Sequence, residues 1–358
     1  MGLEPDEPVM RCRIRILRPS LSAAVLASLA LWTSTAGAAD PAYPNTEGFG
    51  VPFSTNEAWY RHCMRVEGHV VPRPLAPPGQ LRCDATALYY QKRDQARNSA
   101  AEWREVRSCA EASGDNAVLM MLYANGYGVA RDTGRAIYHA CRLDTAKAEM
   151  EARVGYLASP AAAADRQPFD LCDHITSGRM GSVCAAIGES RADRVRATRL
   201  DRFAARLPAE ARGPFARLRQ AAAAFAKQSA AEVDLSGTGG PGFATRHAGR
   251  RDQEFIDTLL NAASGKLPRA SAAQLMQLDQ TLNTQYQAVL ALPSENDNHP
   301  ERIRYSTVTR EDVRNTERAW LIYRGAWDAF AAAARLPTDA VSIKAVLLRQ
   351  RIAQLKRL

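Results

Sequence analysis

The sequence predicts an all-α protein with two helical parts, and three observations support this prediction. After residue 84, apolar side chains recur three and four residues apart, as they do on one face of a helix. Gly, Pro, Asn and Asp interrupt these stretches where helices would begin or end. No run of alternating β-branched residues follows residue 38. We therefore expect an all-α fold. The cysteines and motifs described below divide it into a disulfide-bridged, repeat-like helical N-terminal domain and a C-terminal helical hairpin or bundle domain.

The composition is that of an ordinary globular protein. The chain has 358 residues, a formal charge of +9, 46% hydrophobic residues and 24% charged residues. This balance excludes a disordered chain, a collagen and a multi-span membrane protein.

The local composition and the hydrophobic pattern change four times along the sequence, so the chain divides into five segments. They are a signal peptide (1–38), an irregular Pro-rich arm (39–84), a repeat-like region with disulfides (85–184), amphipathic helices with a Gly-rich loop (185–264), and a terminal helical domain (265–358).

The first segment has the pattern of a secretory signal peptide. Four arginines between residues 11 and 18 precede an apolar run over residues 21–32, and Ala36-Gly37-Ala38 supplies the small residues that signal peptidases require. The apolar run is shorter than the ~20 residues of a membrane span. We therefore expect cleavage near Ala38, a periplasmic or secreted protein and no permanent membrane span.

Cleavage at this point changes the cysteine count and the charge. It removes Cys12, four arginines and three acidic residues, which leaves six cysteines and lowers the charge from +9 to +8. An even number of cysteines in an oxidising compartment predicts three disulfides. The prolines of the arm leave one or two helical turns over residues 56–65, which would present Cys63 to Cys83. We expect pairing in sequence order: Cys63 with Cys83, Cys109 with Cys141, and Cys172 with Cys184.

The third segment predicts three helices and contains a repeat motif. Ser113-Gly114 and Asn125-Gly126 end the first two helices, and the third covers residues 133–143. The motif is Leu119-x-x-Leu122-Tyr123-x-Asn125-Gly126-x-Gly128-Val129-x-x-Asp132, followed by Ala136, Tyr138 and Ala140. Over residues 115–142 it resembles one unit of the Sel-like repeats, which are helix pairs that bind other proteins. The resemblance implies that Cys109 and Cys141 lie on neighbouring helices.

The fourth and fifth segments predict six further helical stretches. Two amphipathic helices fill residues 185–232 and separate near Pro208, and a Gly-rich loop over residues 234–242 leads to a helix over 250–264. Gly265 and Pro268 end that helix. The last three stretches cover residues 270–292, 310–334 and 339–358.

Three motifs mark the last segment. They are Asp279-x-x-Leu282-Asn283-x-x-Tyr286, then Arg314-x-x-Glu317-Arg318-x-Trp320-x-x-Tyr323-Arg324, and finally Leu347-x-x-x-Arg351-x-x-x-Leu355. Over residues 270–358 this combination resembles the lysozyme inhibitor LprI-like family, which implies an exported, mostly helical domain that binds lysozyme. The candidate residues for binding or for structure are Asp279, Asn283, Tyr286, Arg314, Arg318, Trp320, Tyr323 and Arg324.

The polar residues of these motifs have two interpretations. Asp279 and Asn283 lie four residues apart on one helix face, so they could receive the guanidinium of Arg318 or Arg324 from the next helix. In the other interpretation the same residues form a buried brace that fixes the register of the two helices, because buried charges must be paired.

The sequence predicts no catalytic residue, no metal site and no cofactor. His174 follows Asp173 and precedes Ser177, which suggests a catalytic triad, but these residues also suit the cap of a helix that starts near Gly178. The Gly-rich loop lacks the Lys of a phosphate-binding loop. The six histidines are scattered, without H-E-x-x-H or Cys-x-x-Cys spacing.

Three functions remain open from the sequence. The first is a non-catalytic envelope protein that binds lysozyme or another cell-wall hydrolase. The second is an envelope hydrolase or transferase whose site is assembled from distant residues. The third is a structural factor whose basic surface contacts anionic cell-wall polymers. Predicted export excludes nucleic acid as a partner, and basic lysozymes would repel a chain of charge +8 at long range.

Overall fold

The computed structural model describes residues 42–68, 83–164 and 167–358, and these residues form thirteen α-helices and no β-strand. The predicted all-α class is therefore confirmed. The predicted signal peptide, with its cleavage site at Ala38, lies outside the described residues. The helices are α1 (Ala58–Val66), α2 (Ala85–Arg93), α3 (Ala100–Ser113), α4 (Asn116–Asn125), α5 (Thr133–Ala140), α6 (Lys147–Ala158), α7 (Pro160–Ala164), α8 (Gly178–Ala204), α9 (Ala209–Ser229), α10 (Gly240–Ala263), α11 (Ala272–Leu290), α12 (Arg310–Ala334) and α13 (Ala340–Leu355). In these ranges, no helix has both the length and the apolar character of a membrane span.

Helix bounds agree closely with the sequence analysis in the last segment, but two regions differ. In the third segment the pattern predicted three helices, whereas six form before α8: the first predicted helix is divided into α2 and α3, and α6 and α7 follow α5. The second difference is the start of α10. The pattern predicted that this helix starts at Arg250, whereas it starts at Gly240. Pro241 occupies the first turn, where the missing N–H has no helical partner and the fixed φ favours helix. The end of the Gly-rich segment, from Gly240, therefore forms the first turn of α10 and is not a loop.

The first core lies among α1 to α6, the segment after α7 and the start of α8, and it is centred on α4. Every residue from Val118 to Ala124 is buried, so α4 is apolar all round. Trp59 of α1 and Met150 of α6 pack into the same core. The arm before α1 contributes Phe49, which contacts the Trp59 ring at 5.2 Å between centroids. The segment around α1 is thus part of the first core, although much of it is irregular.

The Sel-like motif residues are explained by turns and caps around α4 and α5. Asp132 accepts a hydrogen bond from the backbone N–H of Arg135 at 2.9 Å and so caps α5. The Asn125 amide donates to the carbonyl of Phe169 at 2.8 Å and accepts from its N–H at 2.7 Å. The motif therefore ends α4, starts α5 and fixes the later chain segment against both helices.

Gly128 offers a direct test of the motif's packing. Its φ is +67°, and a Cβ at this position would overlap the Cβ of Trp103. Gly114 has the same backbone conformation, with φ +68°, but open space around it. We expect Gly128→Ala to lower the free energy of unfolding by about 2–4 kcal/mol and Gly114→Ala by about 1 kcal/mol. Urea denaturation of both variants checks this, and equal losses would contradict a steric role for Gly128.

The second core lies among α8 to α13, with α12 at its centre. Trp320, Tyr323, Trp327 and Phe330 follow one another at intervals of three and four residues, and all are buried. Phe225 of α9 stacks on the Tyr323 ring with 5.6 Å between centroids. Large aromatic rings dominate the burial in this part, and their offset contacts stabilise it beyond the area they remove from water.

Helix α8 joins the two cores. It has 27 residues and is therefore about 40 Å long, with Met180 in the first core and Leu200 in the second. Near its middle, Asp94 at the end of α2 accepts hydrogen bonds from Arg191 at 2.6 Å and from Arg194 at 2.8 Å. These ion pairs hold the middle of α8 against the end of α2, which belongs to the first core.

The three predicted disulfides form, but two of the predicted pairings are wrong. Cys172 pairs with Cys184 as predicted, whereas Cys63 pairs with Cys141 and Cys83 with Cys109. Helix α1 packs against α5 and α6, which places Cys63 beside the residue that ends α5. Helices α2 and α3 are neighbours, so Cys83 meets Cys109 instead. Tertiary packing thus overrides the short spacing between Cys63 and Cys83.

Candidate functional site

Most of the residues selected from the sequence line one cleft, between α11 and α12. The cleft has a volume of about 280 Å³. Helix α11 packs along α13, and its side towards α12 stays open. Six of the eight candidate residues line the cleft, together with Leu282, Glu317 and Leu321. The six are Asp279, Asn283, Tyr286, Arg314, Arg318 and Arg324.

One ion pair in the lining of the cleft joins α12 to α11. Arg324 donates to the Asp279 carboxylate at 3.0 Å, and Asn283 donates to the same carboxylate at 3.4 Å. The Arg324 guanidinium also lies over the Trp320 ring, 5.2 Å from its centroid. Both ends of this ion pair are partly exposed. Of the two arginines considered in the sequence analysis, Arg324 is therefore the one that reaches Asp279, and the pair is not a buried brace.

The wall contributed by α12 is positively charged and partly apolar. Arg318 donates to Glu311 at 2.7 Å, and Arg314 lies 3.5 Å from the other oxygen of the same carboxylate. Arg318 also donates to the Asn315 side-chain oxygen. Two guanidinium groups therefore share one carboxylate, and since each guanidinium has five N–H donors, both arginines keep donors for another acceptor. Leu321, next along this wall, is 48% exposed, and its neighbour Ile322 is 68% exposed. Arginines beside exposed apolar side chains are typical of protein-binding surfaces.

Trp320 and Tyr323 do not line the cleft. Both rings are buried in the second core, where Tyr323 stacks on Phe225. Burial raises the pKa of the Tyr323 phenol far above its ordinary value. These two candidates therefore hold α12 in place, and the exposed residues of the same motif form the surface. The candidate set divides into a structural pair and six cleft residues.

Beneath the cleft lies a buried ionic network that the sequence analysis did not assign. Arg351 is fully buried and donates to both oxygens of Glu232 at 2.7 and 2.9 Å, and to Glu317 at 2.9 Å. Burial raises the pKa of Glu317, and the Arg351 charge opposes that rise. Glu317 also lines the cleft, so the network fixes the cleft floor to α13. The motif contained Arg351 and Glu317, but Glu232 lies far away in the sequence.

The residues around His174 form a helix start. The Ser177 hydroxyl accepts from the N–H of Met180 at 3.1 Å, which caps α8 as predicted. Asp173 accepts from the N–H of Asp170 at 2.8 Å instead of capping that helix. The His174 ring packs against Tyr156 and Phe169, and burial lowers its pKa. In the described structure neither Asp173 nor Ser177 hydrogen-bonds to His174, so the geometry is that of a cap.

Glu149 anchors the same turn. It is buried, and it accepts from the N–H groups of Thr176 at 2.8 Å and Ser177 at 2.7 Å. Burial alone would raise the pKa of Glu149, but these hydrogen bonds and one from Thr145 outweigh it and lower the pKa to about 2. Over the residues that the structure describes, no three His, Cys, Asp or Glu side chains converge on a place for a metal ion.

The chain matches no family model, no curated protein and no solved structure.

Proposed function

We propose that this chain is an exported, non-catalytic interaction protein of the bacterial envelope, which resembles LprI-type lysozyme inhibitors and binds lysozyme or another cell-wall hydrolase. One observation carries the proposal: six residues of the LprI-like motif line a single cleft together with the exposed side chain of Leu321. Three disulfides support export, because such bonds persist in oxidising compartments.

The charges of the cleft indicate which part of a hydrolase would bind. Arg314 and Arg318 line the cleft, and their side chains are 45% and 59% exposed, so their remaining N–H donors are open to an acceptor on a partner. Enzymes that cut glycosidic bonds carry a pair of carboxylates in the active-site groove. The exposed Leu321 on the wall of the cleft would enter such a groove, while the two arginines pair with its carboxylates. Binding of this kind would block substrate without any reaction by the inhibitor.

The test compares two double variants. The variant Arg314→Ala/Arg318→Ala removes the cationic wall, and Arg199→Ala/Arg349→Ala removes two exposed arginines outside the cleft. We expect the first to weaken lysozyme binding at least tenfold, because charged hydrogen bonds at a binding surface contribute about 1.5–3 kcal/mol each. The second should change the Kd less than twofold. Calorimetry with several lysozyme types at 0.15 M salt measures the Kd, and lysis of cell-wall suspensions measures inhibition.

Two results would overturn the proposal. One is that the oxidised, intact chain binds no lysozyme and no other cell-wall hydrolase at micromolar concentration. The other is binding that the cleft variant and the control variant weaken equally, which would place the contact elsewhere or reduce it to net charge. Circular dichroism of both variants establishes that the helices are intact.

A further inference from the structure

A second cleft lies among α8, α9 and α10, away from the residues of the LprI-like motif. Its volume is about 320 Å³, at the lower end of the range for small-molecule sites. Leu200, Phe255 and Ile256 form an apolar floor, and each of these side chains is more than nine-tenths buried. An apolar floor of this kind packs against a short alkyl chain or one ring.

Arg196 on the wall of this cleft is already neutralised. It is buried, and it donates to both Glu189 and Asp193, which are also on α8. Glu189 can reach it because α10 carries Gly249 at the crossing, where a Cβ would overlap the Glu189 carboxylate. Two carboxylates thus surround one guanidinium, and this group has one excess negative charge.

Asp252 supplies a second negative charge and has no partner of its own. It lines the cleft from α10, and in the described residues no hydrogen bond or ion pair reaches its carboxylate. Arg219, on the α9 wall, pairs with Asp201 at 2.9 Å. Burial raises the pKa of Asp252 to about 6, while the charge of Arg196 acts in the opposite direction. A half-buried carboxylate over an apolar floor is best compensated by a cation.

We propose that this cleft binds a small organic ammonium ion, with its apolar part on Leu200, Phe255 and Ile256 and its ammonium group donating to Asp252 and Asp193. The negative excess of the cleft, in a chain of charge +9, selects a cationic ligand. Cleft volume admits one ring or a chain of several carbons. Neither the LprI-like motif nor the proposed lysozyme contact involves these residues.

The first measurement compares 2-phenylethylamine with 2-phenylethanol, which has the same ring and chain but no positive charge. Calorimetry or chemical-shift titration of the intact, oxidised chain at pH 7.5 should give a Kd of roughly 0.1–1 mM for the amine. We expect binding of the alcohol to be at least tenfold weaker. Equal binding of the two compounds, or no binding of the amine below 10 mM, would overturn the proposal.

The second measurement assigns the ammonium site to Asp252. Asp252→Asn removes the charge at nearly constant shape and should weaken amine binding at least tenfold. Asp257→Asn makes the same change on the exposed side of α10, where Asp257 accepts from Gln253, and should leave the Kd within twofold. Unchanged binding by Asp252→Asn would contradict the assignment. Far-ultraviolet circular dichroism checks that both variants remain helical.

A third measurement repeats the amine titration at two pH values. The charged groups that face Asp252 are Glu189, Asp193 and Arg196 on α8 and Arg219 on α9. Between pH 7.5 and 5.0 an alkylamine stays protonated, whereas a carboxyl with a pKa of about 6 becomes mostly neutral. Amine affinity should therefore fall about tenfold at pH 5.0 in the wild-type chain and much less in Asp252→Asn. Equal pH dependence in both chains would contradict a role for Asp252.

Discussion

Arg351→Leu is expected to lower the free energy of unfolding by about 3–5 kcal/mol, since it leaves two carboxylates buried without their cation. Glu232 and Glu317 are 5% and 9% exposed, and the three N–H···O bonds that Arg351 gives them are 2.7–2.9 Å long. The bond to Glu232 joins α13 to the chain after α9, and the bond to Glu317 joins α13 to α12. Urea denaturation, followed by the fluorescence of Trp320 and Trp327 in the same core, measures the loss.

Three comparison variants sharpen this expectation. Arg349→Ala, on the exposed side of α13, should change stability by less than about 0.5 kcal/mol. Arg351→Lys keeps the charge but lacks the planar fork, so it should fall between the wild type and Arg351→Leu. Replacing Arg351, Glu232 and Glu317 together by Leu, Met and Met should recover most of the loss. A loss below 1 kcal/mol in Arg351→Leu would show that the network does not hold these helices together.

Removal of the disulfide between Cys63 and Cys141 is expected to destabilise the chain by about 4.5 kcal/mol, more than removal of either of the others. The bond closes a loop of 78 residues, against 26 for Cys83 with Cys109 and 12 for Cys172 with Cys184. In the chain-entropy account, a longer loop restricts the unfolded chain more, so the corresponding losses are about 3.5 and 3 kcal/mol. Double Cys→Ala variants and urea denaturation test the order.

Free thiols would obscure this comparison, so each pair is replaced together and the remaining bonds are verified by mass spectrometry after proteolysis. The three variants serve as one another's controls. A larger loss from the 12-residue bridge than from the 78-residue bridge would contradict the expectation, and would indicate that native packing around each bridge outweighs the unfolded chain.

Most helices after residue 177 were predictable because their signals are local, whereas residues 85–164 form six helices where the pattern predicted three. Ser177 and Asp132 cap helices where the sequence indicated a start, and α12 has the predicted bounds Arg310–Ala334. Caps and apolar periodicity act within a few residues and therefore appear in any window of the sequence. The start of α10 was missed because the glycines around Pro241 suggested a loop.

Features that depend on tertiary packing were harder to predict. Cys63 could not be assigned to Cys141 without knowing that α1 packs against α5 and α6. The motif identified the residues of the α11/α12 cleft. Which of these motif residues are buried rings and which are exposed arginines depends on how α12 is oriented about its own axis, and that orientation is set by tertiary packing. Asp252 belongs to no sequence motif. Its surroundings are made by α8 and α9, which are distant in the sequence, so only the folded structure shows them.

The nested arrangement of two disulfides has a consequence for how the chain is oxidised. Cys83 and Cys109 both lie inside the loop that Cys63 and Cys141 close. In an unstructured chain, contact between Cys63 and Cys83 closes a loop about a quarter as long as the native one, and would occur roughly eightfold more often. Oxidation before folding therefore traps the wrong partner. Native bonds then form either after α1 has docked against α5, or by thiolate attack on the mispaired bond, so a thiol–disulfide exchange reagent should speed recovery from the reduced state.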